Sequence, residues 1–413
     1  LVTRSHAHVR IAALARDLVR LHPEVVGVVQ NVNDSPGDAI FAAEEHLDEL
    51  ASLSDTMGVQ VAGRLVARVM RPSPHFYLGA DKAEEIKALA AGVDADVIIF
   101  DIDLSPSQQR NWEKFTEIAV IDRQEVILDI FAGRAQTKEA RLQVGLARME
   151  YSLPRLRRAW THLERQRGGA GHKGGPGELQ LEVDRRIVMD RITRFRRELK
   201  EVRKRRAIQR KSRSDRPIPS AAIVGYTNVG KSSLLRRLTG ADVFVEDKLF
   251  ATLDPTTRRI DLANNQPLLL TDTVGFIRKL PHGLVEAFKA TLEEAVQADF
   301  LIHVLDVAHP KIEEQYTVTN QVLAELGAGD KLTILALNKI DRPHEPLLVN
   351  HFRLRNGLTF PVSTHTGEGI DALLEAFARH FILPMRRYRL RIPQNRYDVV
   401  NLIHTEGSVI DEQ

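Results

Sequence analysis

The sequence predicts an α/β protein, in which a doubly wound, mostly parallel sheet follows a small α/β domain and an antiparallel helical hairpin. Three observations carry this expectation. Between residues 220 and 383 short apolar runs alternate with helical patterns, and the first run, Ala221–Val224, ends in a glycine-rich turn that opens a helix. Upstream, two apolar seams flank a glycine-rich stretch. Before them, residues 1–135 alternate helix and strand on a smaller scale.

Within the first domain, Ala43–Met57 and Asp81–Ala91 have helical patterns, and Val59–Met70 is a β-branched run. Asp96–Phe100 and Val120–Ile121 read as short strands. Ser105 precedes Pro106 as an N-cap before a first-turn proline. The first seam is Leu142, Leu146, Met149, Leu153, Leu156, Trp160 and Leu163, with Pro154 expected to kink it. The second is Val188, Ile192, Phe195, Leu199 and Val202. Six glycines fall in the ten residues Gly168–Gly177 between them, which suits a flexible hairpin tip. Each seam can bury its stripe against the other, so a monomer is expected. The charged linker Ser212–Pro219 marks a boundary. The expected domains are therefore 1–138, 139–214, 215–383 and a C-terminal tail or partial small domain at 384–413. In the third domain the expected strands are Ala221–Val224, Arg258–Leu262, Leu268–Thr271, Phe300–Asp306, Leu332–Asn338 and Thr359–Ser363.

Composition narrows the classes. A chain of 413 residues, 43% hydrophobic and 27% charged, is globular and too long for one ordinary domain. No apolar stretch reaches membrane-spanning length. With no cysteine, disulfides and thiolate metal sites are excluded. The net charge of +3 conceals an asymmetry: residues 155–216 hold 21 Lys+Arg against 8 Asp+Glu, a local +13 that leaves −10 elsewhere. Residues 185–213 alone carry 14 basic residues against Asp190, Glu198 and Glu201. Self-repulsion of one sign over that length points to a polyanionic partner, RNA rather than DNA or a membrane. The Arg-rich residues 1–20, with Asp17 as their one acid, read as a surface helix. The alternative is the remnant of a transit peptide, which would place the protein in an organellar matrix. A cytoplasmic location is expected, with a membrane-peripheral fraction as the lesser reading.

The chemistry lies in four strings. Gly225-Tyr226-Thr227-Asn228-Val229-Gly230-Lys231-Ser232 has the G-x-x-x-x-G-K-[ST] spacing of a phosphate-binding loop. A strand, a glycine turn and a helix start aim backbone N–H groups at one point. Lys231 adds a point charge for the terminal phosphates, and the Ser232 hydroxyl is a hard ligand for Mg²⁺. Asp272-Thr273-Val274-Gly275 ends a later strand, where Asp272 can hold the Mg²⁺ shell and Gly275 can sense a γ-phosphate. Phe250-Ala251-Thr252-Leu253-Asp254-Pro255-Thr256-Thr257 occupies the place of the other switch, with Thr252 the candidate second metal ligand ahead of Thr256 or Thr257. Lys231, Thr252 and Gly275 are thus the candidate catalytic residues.

Asn338-Lys339-Ile340-Asp341 selects the base. Asp341 can accept from the N1–H and exocyclic amine of guanine, a donor pair that adenine lacks. Asn338 would brace the site, and Ser363-Thr364-His365 would offer backbone N–H groups to the guanine O6. GTP is therefore the expected substrate. Phe276 stands where many regulatory GTPases carry a water-orienting glutamine, so unaided hydrolysis is expected to be slow. Asn228 is a candidate ligand for K⁺, weighed evenly against capping its own loop.

More specific strings run through the rest of the chain. They include 77–86 (Tyr-Leu-Gly-Ala-Asp-Lys-Ala-Glu-Glu-Ile), 100–111 (Phe-Asp-Ile-Asp-Leu-Ser-Pro-Ser-Gln-Gln-Arg-Asn), Ile121-Asp122-Arg123, 128–132, Leu142-Gln143-Val144, 175–178 and 180–182. On these residues, together with 250–256, the chain resembles the HflX family of GTPases over nearly its whole length. It departs from the usual family pattern at Leu179 and at Ala80-Asp81. The resemblance implies GTP-dependent binding to the large ribosomal subunit and its rRNA, with splitting or rescue of stalled ribosomes under stress. His172 and Lys173 in the glycine-rich tip would touch RNA. A different class of function is a GTP-switched regulatory or assembly module that recruits a protein through the N-terminal domain. A third, a membrane-associated GTPase, lacks a fitting amphipathic helix. No second phosphate loop occurs in the N-terminal domain.

Overall fold

The computed structural model describes residues 24–31, 39–67, 69, 71–159, 176–211, 218–240, 249–250, 252–262, 266–278, 294–380, 390–393 and 396–406. Expectations for residues 1–20, for Trp160, Leu163 and the tip through Gly175, and for Ala251 lie outside them. The chain divides into two compact units, one built mainly from residues 1–205 and the other from 206–279 with 288–413.

The first unit contains β1 (Glu24–Asn31), α1 (Ala39–Met57), β2 (Gln60–Ala67), α2 (Ala80–Gly92), β3 (Val97–Phe100), α3 (Pro106–Thr116), β4 (Ala119–Asp122) and α4 (Arg123–Arg134). Its sheet has the order β2-β1-β3-β4 with parallel pairings throughout. Two of these elements, β1 and α4, are absent from the sequence-based expectation. The β1 run Val-Val-Gly-Val-Val carries the signal of a buried strand. Ser105 caps α3 as expected. Its hydroxyl accepts from the Gln108 N–H at 3.2 Å, and the Gln108 side chain accepts from the Ser105 N–H at 2.9 Å.

The same unit holds α5 (Lys138–Ala159) and most of a second long helix, α6 (Pro176–Lys211), whose residues from 206 onward are assigned to the second unit. Leu142, Leu146 and Leu156 of α5 pack on Val188, Ile192 and Leu199 of α6, flanked by Met149, Leu153, Phe195 and Val202. The two expected seams therefore meet in one core. Helix α5 continues through Pro154. Arg155, one residue later, bolts α5 to the sheet. Its guanidinium donates to Gln109 Oε1 at 2.8 Å, the Tyr151 carbonyl at 3.1 Å, the Leu104 carbonyl at 3.0 Å and Asp122 Oδ2 at 3.0 Å. Tyr151 donates to the other Asp122 oxygen at 3.0 Å and to Glu125 at 3.2 Å. A cavity of about 140 Å³ opens beside this network, with Glu113, Glu125 and Arg155 in its wall.

The second unit contains β5 (Ser220–Gly225), α7 (Lys231–Thr239), β6 (Thr256–Asp261), β7 (Pro267–Asp272), β8 (Phe300–Asp306), α8 (Ile312–Glu325), β9 (Thr333–Asn338), α9 (Pro346–Arg355), β10 (Thr359–Pro361), α10 (Ile370–His380) and α11 (Tyr397–Glu406). The sheet order is β10-β9-β8-β5-β7-β6, parallel except for the β6–β7 pair. Order and direction agree with a doubly wound sheet. Burial of both faces explains the near-continuous apolar strands, with β8 buried at every residue. The carboxyl ends of β5, β7, β8 and β9 bring Gly225, Asp272, Asp306 and Asn338 to one edge, the usual ligand edge of such a sheet. Among the described residues no helix is long and apolar enough to cross a membrane.

Candidate functional site

Strand β5 delivers the glycine-rich turn, and α7 begins at Lys231 with Gly230 as its N-cap. Gly230 has φ +96°, and a Cβ there would lie 2.2 Å from Asn338 Nδ2. The position therefore requires glycine on both conformational and steric grounds. Lys231 is buried, and its ammonium donates to the Tyr226 carbonyl at 2.7 Å. Burial draws its pKa down to about 8, against the opposing pull of Asp272.

The metal candidates converge. Ser232 Oγ lies 2.8 Å from Thr252 Oγ1 and donates to Asp272 Oδ2 at 2.6 Å. Asp272 is fully buried at the end of β7, and among the described residues its Oδ1 has no hydrogen-bond partner. Burial pushes its carboxyl up, with Lys231 opposing. Two hydroxyls and a buried carboxylate with an unpartnered oxygen form a hard-oxygen donor set of the kind Mg²⁺ takes. Thr257, a weaker candidate, instead pairs its hydroxyl across the sheet with Thr271 at 2.9 Å, and Thr256 lies in β6.

Asn338 joins the two ends of the cradle. Its amide donates to the Val229 carbonyl at 2.8 Å, and its oxygen accepts from the Thr364 N–H at 3.1 Å. Lys339, at φ +67°, donates to the Asn228 carbonyl at 3.0 Å and pairs with Asp306 at 2.7 Å. Sequence reasoning missed Asp306, although it ends a strand buried at every residue. The Asp341 carboxylate is exposed, which leaves it to be covered by a bound base. It accepts from the Ser363 hydroxyl at 2.6 Å, and that bond holds its pKa below the usual range. Ser363 is buried, whereas His365 is exposed.

Several residues of the four strings face inward. Tyr226, Val229, Phe250, Leu253, Thr273, Val274 and Phe276 are buried, so a nucleotide would meet their backbone. The Thr273 hydroxyl is bonded to the Ile223 carbonyl at 2.7 Å. Ile340 packs partly buried against the β8–β9 core. Asp254 is half-buried, and Gly275 approaches Lys231 and Thr227 so closely that a Cβ would lie 2.9 Å from Lys231 Nζ. The Asn228 side chain is exposed and makes no bond to its own loop among the described residues.

Three family descriptions match consecutive parts of this chain: "GTP-binding GTPase N-terminal" over residues 44–132, "GTP-binding GTPase Middle Region" over 134–213 and "50S ribosome-binding GTPase" over 220–339. GTPase HflX of Akkermansia muciniphila is 49% identical over 411 residues, spanning 96% of this chain and 93% of that protein. The chain belongs to the HflX family of GTPases. GTPase HflX of Escherichia coli K12 is 44% identical over 351 residues, 84% of this chain and 82% of its own length. The crystal structure of the SsGBP–GDP complex is 26% identical and matches 86% of this chain and 98% of its own, with a TM-score of 0.49. The chain is thus a P-loop GTPase that hydrolyses GTP, with a GTPase domain of the ribosome-binding class.

Proposed function

We propose that the GTP-bound protein binds the large ribosomal subunit through its basic helical hairpin. There it splits or rescues stalled ribosomes, and ribosome-stimulated hydrolysis releases it. The observation that carries this reading is the surface of α6. Arg185, Arg186, Arg191, Arg197, Lys200 and Arg205 are exposed and make no ion pair among the described residues. Its apolar stripe is already covered by α5, so the cations form an outward face suited to rRNA phosphates.

In the cradle, backbone N–H groups of residues 225–232 and the Lys231 ammonium grip the phosphates. Ser232 and Thr252, with Asp272 behind them, would hold Mg²⁺, which supplies charge neutralisation at the β- and γ-phosphates. Asp341 selects guanine and Asn338 fixes its loop through the Thr364 N–H. The Ser363 N–H is taken by the Glu368 carbonyl at 2.9 Å, so of the expected 363–365 donors the His365 N–H is the one that remains for O6 among the described residues. Gly275 senses the γ-phosphate. Phe276 offers no hydrogen bond to water, so unaided turnover is slow and a partner or a K⁺ ion at Asn228 completes the charge environment. Equal hydrolysis rates in K⁺ and Na⁺ buffers would remove the cation.

Co-sedimentation with purified ribosomes tests the proposal. Large-subunit binding and loss of intact ribosomes are expected with a non-hydrolysable GTP analogue and not with GDP. Equal pelleting in both states, or none, would refute it. Deleting residues 168–177 should abolish splitting while guanine-nucleotide affinity persists.

A further inference from the structure

Two phosphate-loop residues do work beyond holding phosphate. Thr227 contacts both switch segments at once. Its hydroxyl accepts from the Phe250 N–H at 3.0 Å, and its own N–H donates to the Phe276 carbonyl at 2.7 Å. Gly275 packs so closely on it that a Cβ there would lie 2.7 Å from Thr227 Cα. The neighbouring Tyr226 hydroxyl accepts from the Arg278 N–H at 2.8 Å, and the Phe276 N–H donates to the Gly225 carbonyl at 3.0 Å. The bonds among Thr227, Phe250 and Phe276 lie in the interior, where Tyr226, Thr227, Phe250 and Phe276 are 2–6% exposed, and the Arg278 bond is partly buried. Phe250 also adopts φ +55°, a conformation that a bulky residue holds when its surroundings fix it.

We propose that Thr227, assisted by Tyr226, is a positioning residue that couples the two switches through the phosphate loop. One buried hydroxyl holds the backbone two residues before Thr252, and the backbone of the same residue holds the segment after Gly275. Thr252 stands against Ser232 and Asp272 in this arrangement. The clasp therefore favours the conformation in which Thr252 is in place for the triphosphate. A contact made in one conformation and lost in the other shifts affinity between the ligands that select them. The inference rests on the assignment of Thr252 to the metal side of the site and is independent of the ribosome.

The test uses the full chain with Mg²⁺ and compares Kd values for GDP and a non-hydrolysable GTP analogue in wild type, Thr227→Val, Thr227→Ser, Tyr226→Phe and Thr252→Ala. Thr227→Val keeps the shape and removes the hydroxyl to which the buried Phe250 N–H donates. Its analogue-to-GDP preference is expected to fall about tenfold, and exchange of the Phe250 amide to quicken by a similar factor. Thr227→Ser restores both values. Tyr226→Phe quickens exchange at Arg278 with a smaller loss of preference. A merely structural role would weaken both nucleotides alike. If Thr252→Ala lowers the preference and Thr227→Val does not, the clasp is overturned. If neither lowers it, the Thr252 assignment fails first. Failure of the serine variant to restore the preference also rejects the hydroxyl as the coupling atom.

Discussion

Asp122 in the first unit and Asp272 in the second both end a parallel strand, both are fully buried, and both face a cation, yet their surroundings differ. Around Asp122 the polar groups answer one another. The Arg155 guanidinium bonds to four acceptors, and both carboxylate oxygens accept from Tyr151, Arg155 and the Leu104 and Glu125 N–H groups. Around Asp272 one oxygen has no partner among the described residues, and the nearby Lys231 ammonium donates to a backbone carbonyl. A satisfied buried network acts as a fastener. A network with an unpartnered oxygen and a desolvated ammonium retains capacity for a ligand; burial raises both carboxyls, so it is this spare capacity that separates the proposed nucleotide site from the structural cluster.

The largest effect that would sharpen this contrast is on base choice. Wild-type protein should prefer GTP to ATP by about 10⁴-fold, and Asp341→Ala should erase the preference in paired titration calorimetry. Persistence of guanine selectivity in that variant would move base recognition elsewhere. Next, Asp272→Asn should lower kcat by about 10²–10³-fold while leaving the melting temperature without nucleotide no lower than wild type, because a neutral amide relieves a buried charge. A parallel fall in activity and Tm would make Asp272 a fastener too. Arg155→Met should do the reverse. It strands the Asp122 carboxylate and should cost about 3–5 kcal/mol of stability, read by urea denaturation, with GTP affinity retained.

A smaller, pH-dependent effect belongs to His303. It is fully buried, neither ring nitrogen has a hydrogen-bond partner among the described residues, and burial, with Lys231 second, draws its pKa down to about 3. The unfolded chain takes up a proton below its ordinary value of about 6.5 while the folded chain does not. His303 thus contributes full stability above that pH, and the contribution falls by about 1.4 kcal/mol per pH unit below it. Thermal melts at pH 7.5 and 5.5 should show the loss, and His303→Phe should flatten it. An unchanged slope in that variant would place the acid sensitivity in another group.

Local patterns were legible in the sequence, and long-range pairings were not. The seams at 142–156 and 188–202 meet because a four-three spacing has one helical meaning. The Ser105 cap and the strands leading to Gly225, Asp272 and Asn338 were likewise set by neighbouring residues. Strand β1 was missed although its β-branched run carries a strand signal, since periodicity alone does not distinguish so short an apolar run from a buried helical segment. No spacing rule joins Arg155 to Asp122, 33 residues away, or Thr227 to Phe250, 23 residues away. The order of the four nucleotide strings was readable. The exposure of Asp341 and the inward turn of Phe276 depend on how the loops fold over the sheet.

Asn338 has one more consequence. A single amide ties the Val229 carbonyl in the proposed phosphate loop to the Thr364 N–H in the proposed base-binding segment. If both halves of the ligand are read on that common joint, guanosine and inorganic triphosphate offered as separate molecules should help each other to bind. Intact GTP inherits that synergy as affinity exceeding the sum of its fragments.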